Sequence, residues 1–272
     1  RYRRKGACGM KTVIKSLIIG IVIAAIGVAI ILITLAANDW KFKTDYEIKT
    51  AEFEYGGLSV VIDSDANTVK TEFYDGDKIE VTYPESKGFR TEISENSGKF
   101  IFRSKTKWYY SFFNWRSFWN MPETVIKLPK DRVYDISVKI GAGSVYLADG
   151  EYKNVNINID AGAFNCGTLD CDRLVCDVDA GKININSVSA NYLECDVDAG
   201  GVEITKTACP EILIDVDAGG VKMYIDELKS LYSISAKVHA GKCNVSAQTG
   251  TSANHKIDVK VDAGKVEVNF AG

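Results

Sequence analysis

Polar and apolar residues alternate along most of the chain, the period-two signature of strands with one buried face. The stretches Leu174-x-Cys176-x-Val178 and Ile183-x-Ile185 show it on either side of Gly181. The same unit recurs. Three-residue turns end in glycine at 143, 162, 181, 200, 219, 241 and 264, and read GAG, DAG four times, HAG and DAG. Four consecutive steps are 19 residues, and the last two are 22 and 23. A fixed period near twenty predicts a repeat architecture whose units bury their apolar faces only against their neighbours. Inward columns then run in chain order. They are Val155, Leu174, Leu193, Ile212, Ile234 and Ile257; then Ile157, Cys176, Cys195, Ile214, Ala236 and Val259; then Ile159, Val178, Val197, Val216, Val238 and Val261; and, past the turn, Phe164, Ile183, Val202, Val221, Cys243 and Val266.

The expected fold class is all-β: a single-strand-stack parallel β-solenoid (β-helix or β-roll) of about 19 residues per coil, preceded by one transmembrane α-helix. The turn glycines are expected to supply a positive φ at the corner, and the Asp before them to bond turn amides. Upstream the alternation is looser. Strands are expected at 58–62, 68–74, 78–83, 89–93, 99–103 and 124–128, separated by DSDAN, YDGDK and ENSGK, and these read as irregular first coils.

A second pattern precedes the repeat. Residues 17–36 are twenty in a row without a charge, about 30 Å of helix, which matches the hydrocarbon thickness of a bilayer. The reading is a transmembrane helix; a cleaved secretory signal is the rival, but a signal core runs only about 7 to 15 residues. Six of the 33 basic residues (Arg1, Arg3, Arg4, Lys5, Lys11, Lys15) precede the first acid, Asp39. Basic flanks stay in the cytoplasm, so the expected location is the cell membrane, single-pass, with the N-terminus cytoplasmic and the C-terminal domain extracytoplasmic. The expected organisation is a cytoplasmic basic tail at 1–12, the helix at 13–37, a juxtamembrane spacer at 38–56, and the β-solenoid domain at 57–272 with an aromatic insertion at 107–121. The lipid bilayer is a partner through 17–36.

Composition narrows the functional classes. With 272 residues, 46% of them hydrophobic and 25% charged, the chain suits a folded body. From Asp39 onward the remaining 27 basic residues face all 36 acidic ones, which argues against a nucleic-acid partner. Of seven cysteines, Cys166, Cys176, Cys195 and Cys243 fall on inward positions, where Cys acts as a small hydrophobe. Cys171 and Cys209 fall in connecting segments two coils apart, too far for a bridge, whereas Cys176 and Cys195 are adjacent.

Two constellations stand out. The turn acids form a column, Asp160, Asp179, Asp198, Asp217 and Asp262, interrupted by His239. A parallel row holds Asp177, Asp196 and Asp215 before changing to Lys237 and Lys260. Stacked carboxylates repel, so Ca²⁺ between them is one reading and turn capping the other. The second constellation packs eight aromatics into twelve residues: Trp108, Tyr109, Tyr110, Phe112, Phe113, Trp115, Phe118 and Trp119. It is either a hydrophobic plug over the open end of the stack or an exposed tip that meets a membrane or partner. Neither His239 nor His255 has a metal or nucleophile spacing around it, and acids that recur in every unit suit structure better than a single active site. No enzyme activity and no cofactor are expected.

The basic tail, the apolar stretch, DGDKIEV at 75–81, IKLP at 126–129 and the serial Asp-Ala-Gly turns together resemble the bacterial putative-adhesin family, formerly a domain of unknown function. The resemblance covers about residues 57 to 270. It implies a membrane-anchored β-solenoid outside the cell, often linked with envelope-stress regulation and without established enzyme activity. The chain departs from the family's usual serine-glycine turn by preferring Asp-Ala-Gly. The expected function is a binding or scaffolding module at the cell envelope, as an accessory in envelope-stress signalling or as a surface adhesin for an external ligand. A calcium-dependent polysaccharide-active protein is the more distant alternative. The implied partner is an envelope protein or surface ligand.

Overall fold

The computed structural model describes residues 26–30, 32, 46–86, 88–106, 121–252 and 254–271. The chain divides into two compact units, Arg1–Thr44 and Asp45–Gly272. In the first, residues 26–30 and 32 are helical, with Ile26, Val28 and Leu32 exposed. Among the described residues no helix is long and apolar enough to cross a membrane. A span needs about twenty consecutive helical residues. The transmembrane helix expected at 13–37, and the single-pass placement built on it, are thereby corrected.

The second unit is built from strands. Those before the repeat are β1 (Glu47–Phe53), β2 (Ser59–Ser64), β3 (Thr68–Tyr74), β4 (Ile79–Glu85), β5 (Phe89–Asn96), β6 (Lys99–Thr106) and β7 (Thr124–Pro129). The repeat supplies β8 (Tyr134–Ile140), β9 (Ser144–Leu147), β10 (Gly150–Ile159), β11 (Ala163–Val178), β12 (Lys182–Val197), β13 (Gly201–Ala208), β14 (Glu211–Val216) and β15 (Gly220–Leu228). After a 3₁₀ turn at Lys229–Leu231 come β16 (Ser233–Val238), β17 (Lys242–Cys243), β18 (Lys256–Val261) and β19 (Lys265–Ala271).

All of these strands join one mixed sheet. From β8 onward the ladders are parallel, and partners in β10, β11 and β12 lie 19 residues apart, as in Leu174 with Leu193 and Val178 with Val197. The pairs β1–β4, β4–β7 and β5–β6 are antiparallel, so the expected all-parallel solenoid is corrected to a mixed sheet. One reason is local. Asn96 and Lys99 are joined through Ser97 and Gly98, both at positive φ (53° and 71°), the two-residue hairpin geometry that antiparallel strands accept and that a parallel crossover of a dozen or more residues does not.

Strand order departs from chain order at both ends. Strand β2 lies between β6 and β8, and β3 between β7 and β9. At the other end β18 lies between β14 and β16, and β19 between β15 and β17. The expected columns are therefore reordered: Ile212 pairs with Ile257, and Ile257 with Ile234. Apolar content explains the order. Ile257, Val259, Val261, Val266 and Val268 are all buried, whereas the outermost strand carries only Ile234 as a buried apolar residue, with Ala236 partly buried and Val238 42% exposed. The more apolar pair of strands takes the interior position, where its side chains have neighbours on both sides.

The corner glycines do not use positive φ; among the described residues only Ser97 and Gly98 do. Their reason is close approach. A Cβ on Gly162, Gly181, Gly200, Gly219 or Gly264 would sit well inside 3.0 Å of the carbonyl oxygen of the stacked glycine in the adjacent turn. Turn amides donate to carbonyls of that same neighbour, as in Ala180 N to Asp160 O at 2.9 Å and Lys182 N to Gly162 O at 2.9 Å.

Cysteines fill the core as small hydrophobes. Cys166, Cys171, Cys176, Cys195 and Cys209 are buried and unpaired, and Cys243 is half-buried. Burial pushes the Cys166, Cys171 and Cys209 thiols up to about 12. Cys176 is raised as well, first by its hydrogen bond with Cys195 and then by burial. Because the thiolate is the nucleophile, iodoacetamide on the native protein at pH 8 should modify Cys243 and leave Cys166, Cys171, Cys176, Cys195 and Cys209 intact until denaturant is added. Peptide mass mapping checks this. Labelling of Cys176 or Cys195 at the rate of Cys243 would contradict the buried placement.

Candidate functional site

Because inward positions are apolar, each strand presents its alternate side chains outward, and parallel register lines these up into rows. One row crosses most of the sheet: Arg103, Asp63, Lys139, Asn158, Asp177, Asp196, Asp215, Lys260 and Lys237, each the register partner of the next. Most of its charges are already satisfied. Arg103 Nε lies 2.8 Å from Asp63 Oδ2, Asn158 Nδ2 donates to Asp177 at 2.8 Å, and Lys260 Nζ reaches both Asp215 oxygens at 3.1 Å. In the adjacent row Glu194 accepts from Arg173 at 2.8 Å and from the Tyr192 hydroxyl at 2.9 Å, and Lys256 lies 2.5 Å from Asp258. Between these rows runs a groove of about 380 Å³ whose charged lining is Glu194, Asp196, Asp215, Asp258, Lys237 and Lys260. The Asp196 carboxyl is raised above the ordinary carboxylate value, by desolvation first and then by the charges of Asp215 and Asp177.

The turn column stands beside this row. Asp160, Asp179, Asp198 and Asp217 are exposed. Among the described residues, the carboxylates of Asp160, Asp179 and Asp198 make no hydrogen bond and no ion pair. The turn-capping role is thus corrected: no turn amide donates to these carboxylates, and the amides of Ala161, Ala180 and Ala199 and of the residue after each glycine bond the neighbouring turn's carbonyls instead. The column ends beside two basic side chains. His239 Nδ1 lies 2.5 Å from Asp262 Oδ1 and Lys260 Nζ 3.7 Å from Asp262 Oδ2, and the hydrogen bond from His239, followed by the Lys260 charge, holds the Asp262 carboxyl below its ordinary value.

Calcium gains no support from this arrangement. Among the described residues no group of three or more His, Cys, Asp or Glu side chains could hold a metal ion. A ladder with about 4.8 Å between rungs offers two neighbouring carboxylates at most, whereas Ca²⁺ takes 6 to 8 oxygens at about 2.3 to 2.6 Å. The aromatic run Trp108, Tyr109, Tyr110, Phe112, Phe113, Trp115, Phe118 and Trp119 lies outside the described residues.

Sequence reasoning named Asp196 and Lys237 as members of one row but set Lys237 next to Asp215. In the structure Lys260 intervenes, neutralises Asp215 and leaves Lys237 at the edge. The missing signal was strand order, which chain order does not give.

A family model described as Toastrack DUF4097 matches residues 58–271 of the chain. Comparison with curated proteins found no match. Among solved structures, a putative adhesin from Parabacteroides merdae ATCC 43184 is 14% identical, with a TM-score of 0.47, over 85% of this chain and 98% of that one. A putative adhesin from Parabacteroides distasonis ATCC 8503 is 12% identical, with a TM-score of 0.41, over 83% and 98%. A putative cell adhesion protein from Clostridium sporogenes ATCC 15579 is 12% identical, with a TM-score of 0.36, over 84% and 100%.

Proposed function

The chain belongs to the Toastrack DUF4097 family, and on that premise we propose that it is a non-enzymatic binding module which meets a cell-envelope component through the outward rows of its parallel ladder. The observation that carries the reading is the turn column. Three carboxylates recur at 19-residue spacing and bond to nothing among the described residues. Two carboxylates about 4.8 Å apart repel by about 0.9 kcal/mol in water before salt screening. A small repeated cost without structural return suits a surface kept for contact. The aromatic run at 108–119 belongs to the same proposal on its sequence alone, since rigid aromatics anchor interfaces.

Co-sedimentation of the purified protein with bacterial membrane and cell-wall fractions tests the reading. A variant with Asp160, Asp179 and Asp198 all changed to Asn should fold and lose at least tenfold in retention. Retention equal to the parent protein would refute the column's part in binding. Retention on membranes favours the envelope-stress accessory, and retention on wall material alone favours the adhesin.

A further inference from the structure

The groove between β12 and β16 holds two charges of opposite sign without partners. Around it Asp177, Asp215, Glu194, Asp258 and Lys260 are each taken up by a neighbour. Among the described residues, Asp196 and Lys237 make no hydrogen bond or ion pair through their side chains. They lie on one row, separated by the Asp215–Lys260 pair. Three ladder steps of about 4.8 Å set them about 14 Å apart.

We propose that this groove binds a short extended peptide with free ends, its ammonium on Asp196 and its carboxylate on Lys237. The span fixes the length. An extended chain advances about 3.4 Å per residue, so about four residues bring their two ends to these two charges. The charges of Asp215 and Asp177 help to raise the Asp196 carboxyl, after partial desolvation, and an ammonium placed there offsets that repulsion. The Asp215–Lys260 pair between the two anchors carries no net charge, which suits a neutral peptide backbone at the middle of the ligand. Exposed lysine supplies a point charge without the planar fork that would demand one carboxylate orientation. The inference deepens the proposed binding function and rests on the outward face of the ladder being its contact surface.

Titration calorimetry at low salt with tetra-alanine, its N-acetylated form and its C-amidated form tests the proposal on the full chain. The free peptide should bind at least ten times more tightly than either blocked form. Asp196→Asn should remove the preference for the free amine and keep that for the free carboxylate, and Lys237→Gln should do the reverse. Neither side chain supports another, so both variants should melt with the parent. Equal affinity for all three peptides, no heat from any, or both preferences surviving either substitution would overturn the inference. If the peptides fail while the triple turn variant still loses envelope retention, only the peptide site falls; if retention is unchanged as well, the binding surface falls with it.

Discussion

Replacing Gly200 with alanine is expected to destabilise the protein by about 3 kcal/mol and to lower its melting temperature by roughly 6 to 12 °C. The new Cβ would enter the space of the Gly181 carbonyl and amide, with a Val178 methyl also inside 3.0 Å. Backbone cannot swing aside as a side-chain tip does. The Gly181 carbonyl also accepts from Gly201 N at 3.0 Å, so a shift that relieves the clash stretches a ladder bond. Gly201→Ala is the matched control one residue away. A Cβ there meets nothing nearer than the Gly220 oxygen at 3.7 Å, and loss of unfolded-state freedom favours alanine by about 0.4 to 1 kcal/mol. Thermal melts of the two variants should therefore move in opposite directions. A drop of similar size at both would mean that glycine is needed for its backbone freedom and not for close approach.

Deleting residues 256–272 should unfold more than the deleted strands. The deletion removes an interior pair, β18 and β19, and leaves β16 and β17 with no ladder partner. Ile257, Val259, Val261, Val266 and Val268 are each at most 3% exposed. At about 1.5 to 3 kcal/mol per fully buried side chain, these five represent roughly 7 to 15 kcal/mol, as large as the whole stability of a typical domain. Hydrogen exchange supplies the readout. The truncated chain should lose protection throughout residues 229–252, although all of them are still present. If residues 233–238 keep native protection, β16 docks directly on β14 and the insertion of β18 is wrong.

The repeat itself was legible because its cause is local. Alternation and a 19-residue period follow from side chains that must point in at every second position, and the column Phe164, Ile183, Val202, Val221 and Val266 is buried throughout. Strand order was not legible, since the columns of two strand pairs with similar alternation can be exchanged without changing the pattern. Only the comparison of Ala236 and Val238 with Val259 and Val261 hinted at which pair takes the interior. The antiparallel hairpin was written in Asn96-Ser97-Gly98-Lys99, a two-residue turn between alternating stretches, and its meaning for direction was available from loop length. The role of the corner glycines was misread because composition cannot distinguish positive φ from close approach. The same ambiguity hid the freedom of the turn carboxylates. An Asp before a tight turn normally caps it, and only the structure shows that no turn amide donates to these carboxylates while the alanine amides bond the neighbouring turn.

The central claim is that Asp160, Asp179 and Asp198 are surplus to the fold and are held for contact with a partner. The melting temperature of the variant carrying Asn at all three positions, measured at low salt beside the parent, tests it most directly. The account predicts an equal or slightly higher value, because three like charges are removed from the stack and no hydrogen bond is lost. A fall of several degrees would show that the carboxylates hold the turns together and would return the column to a structural role.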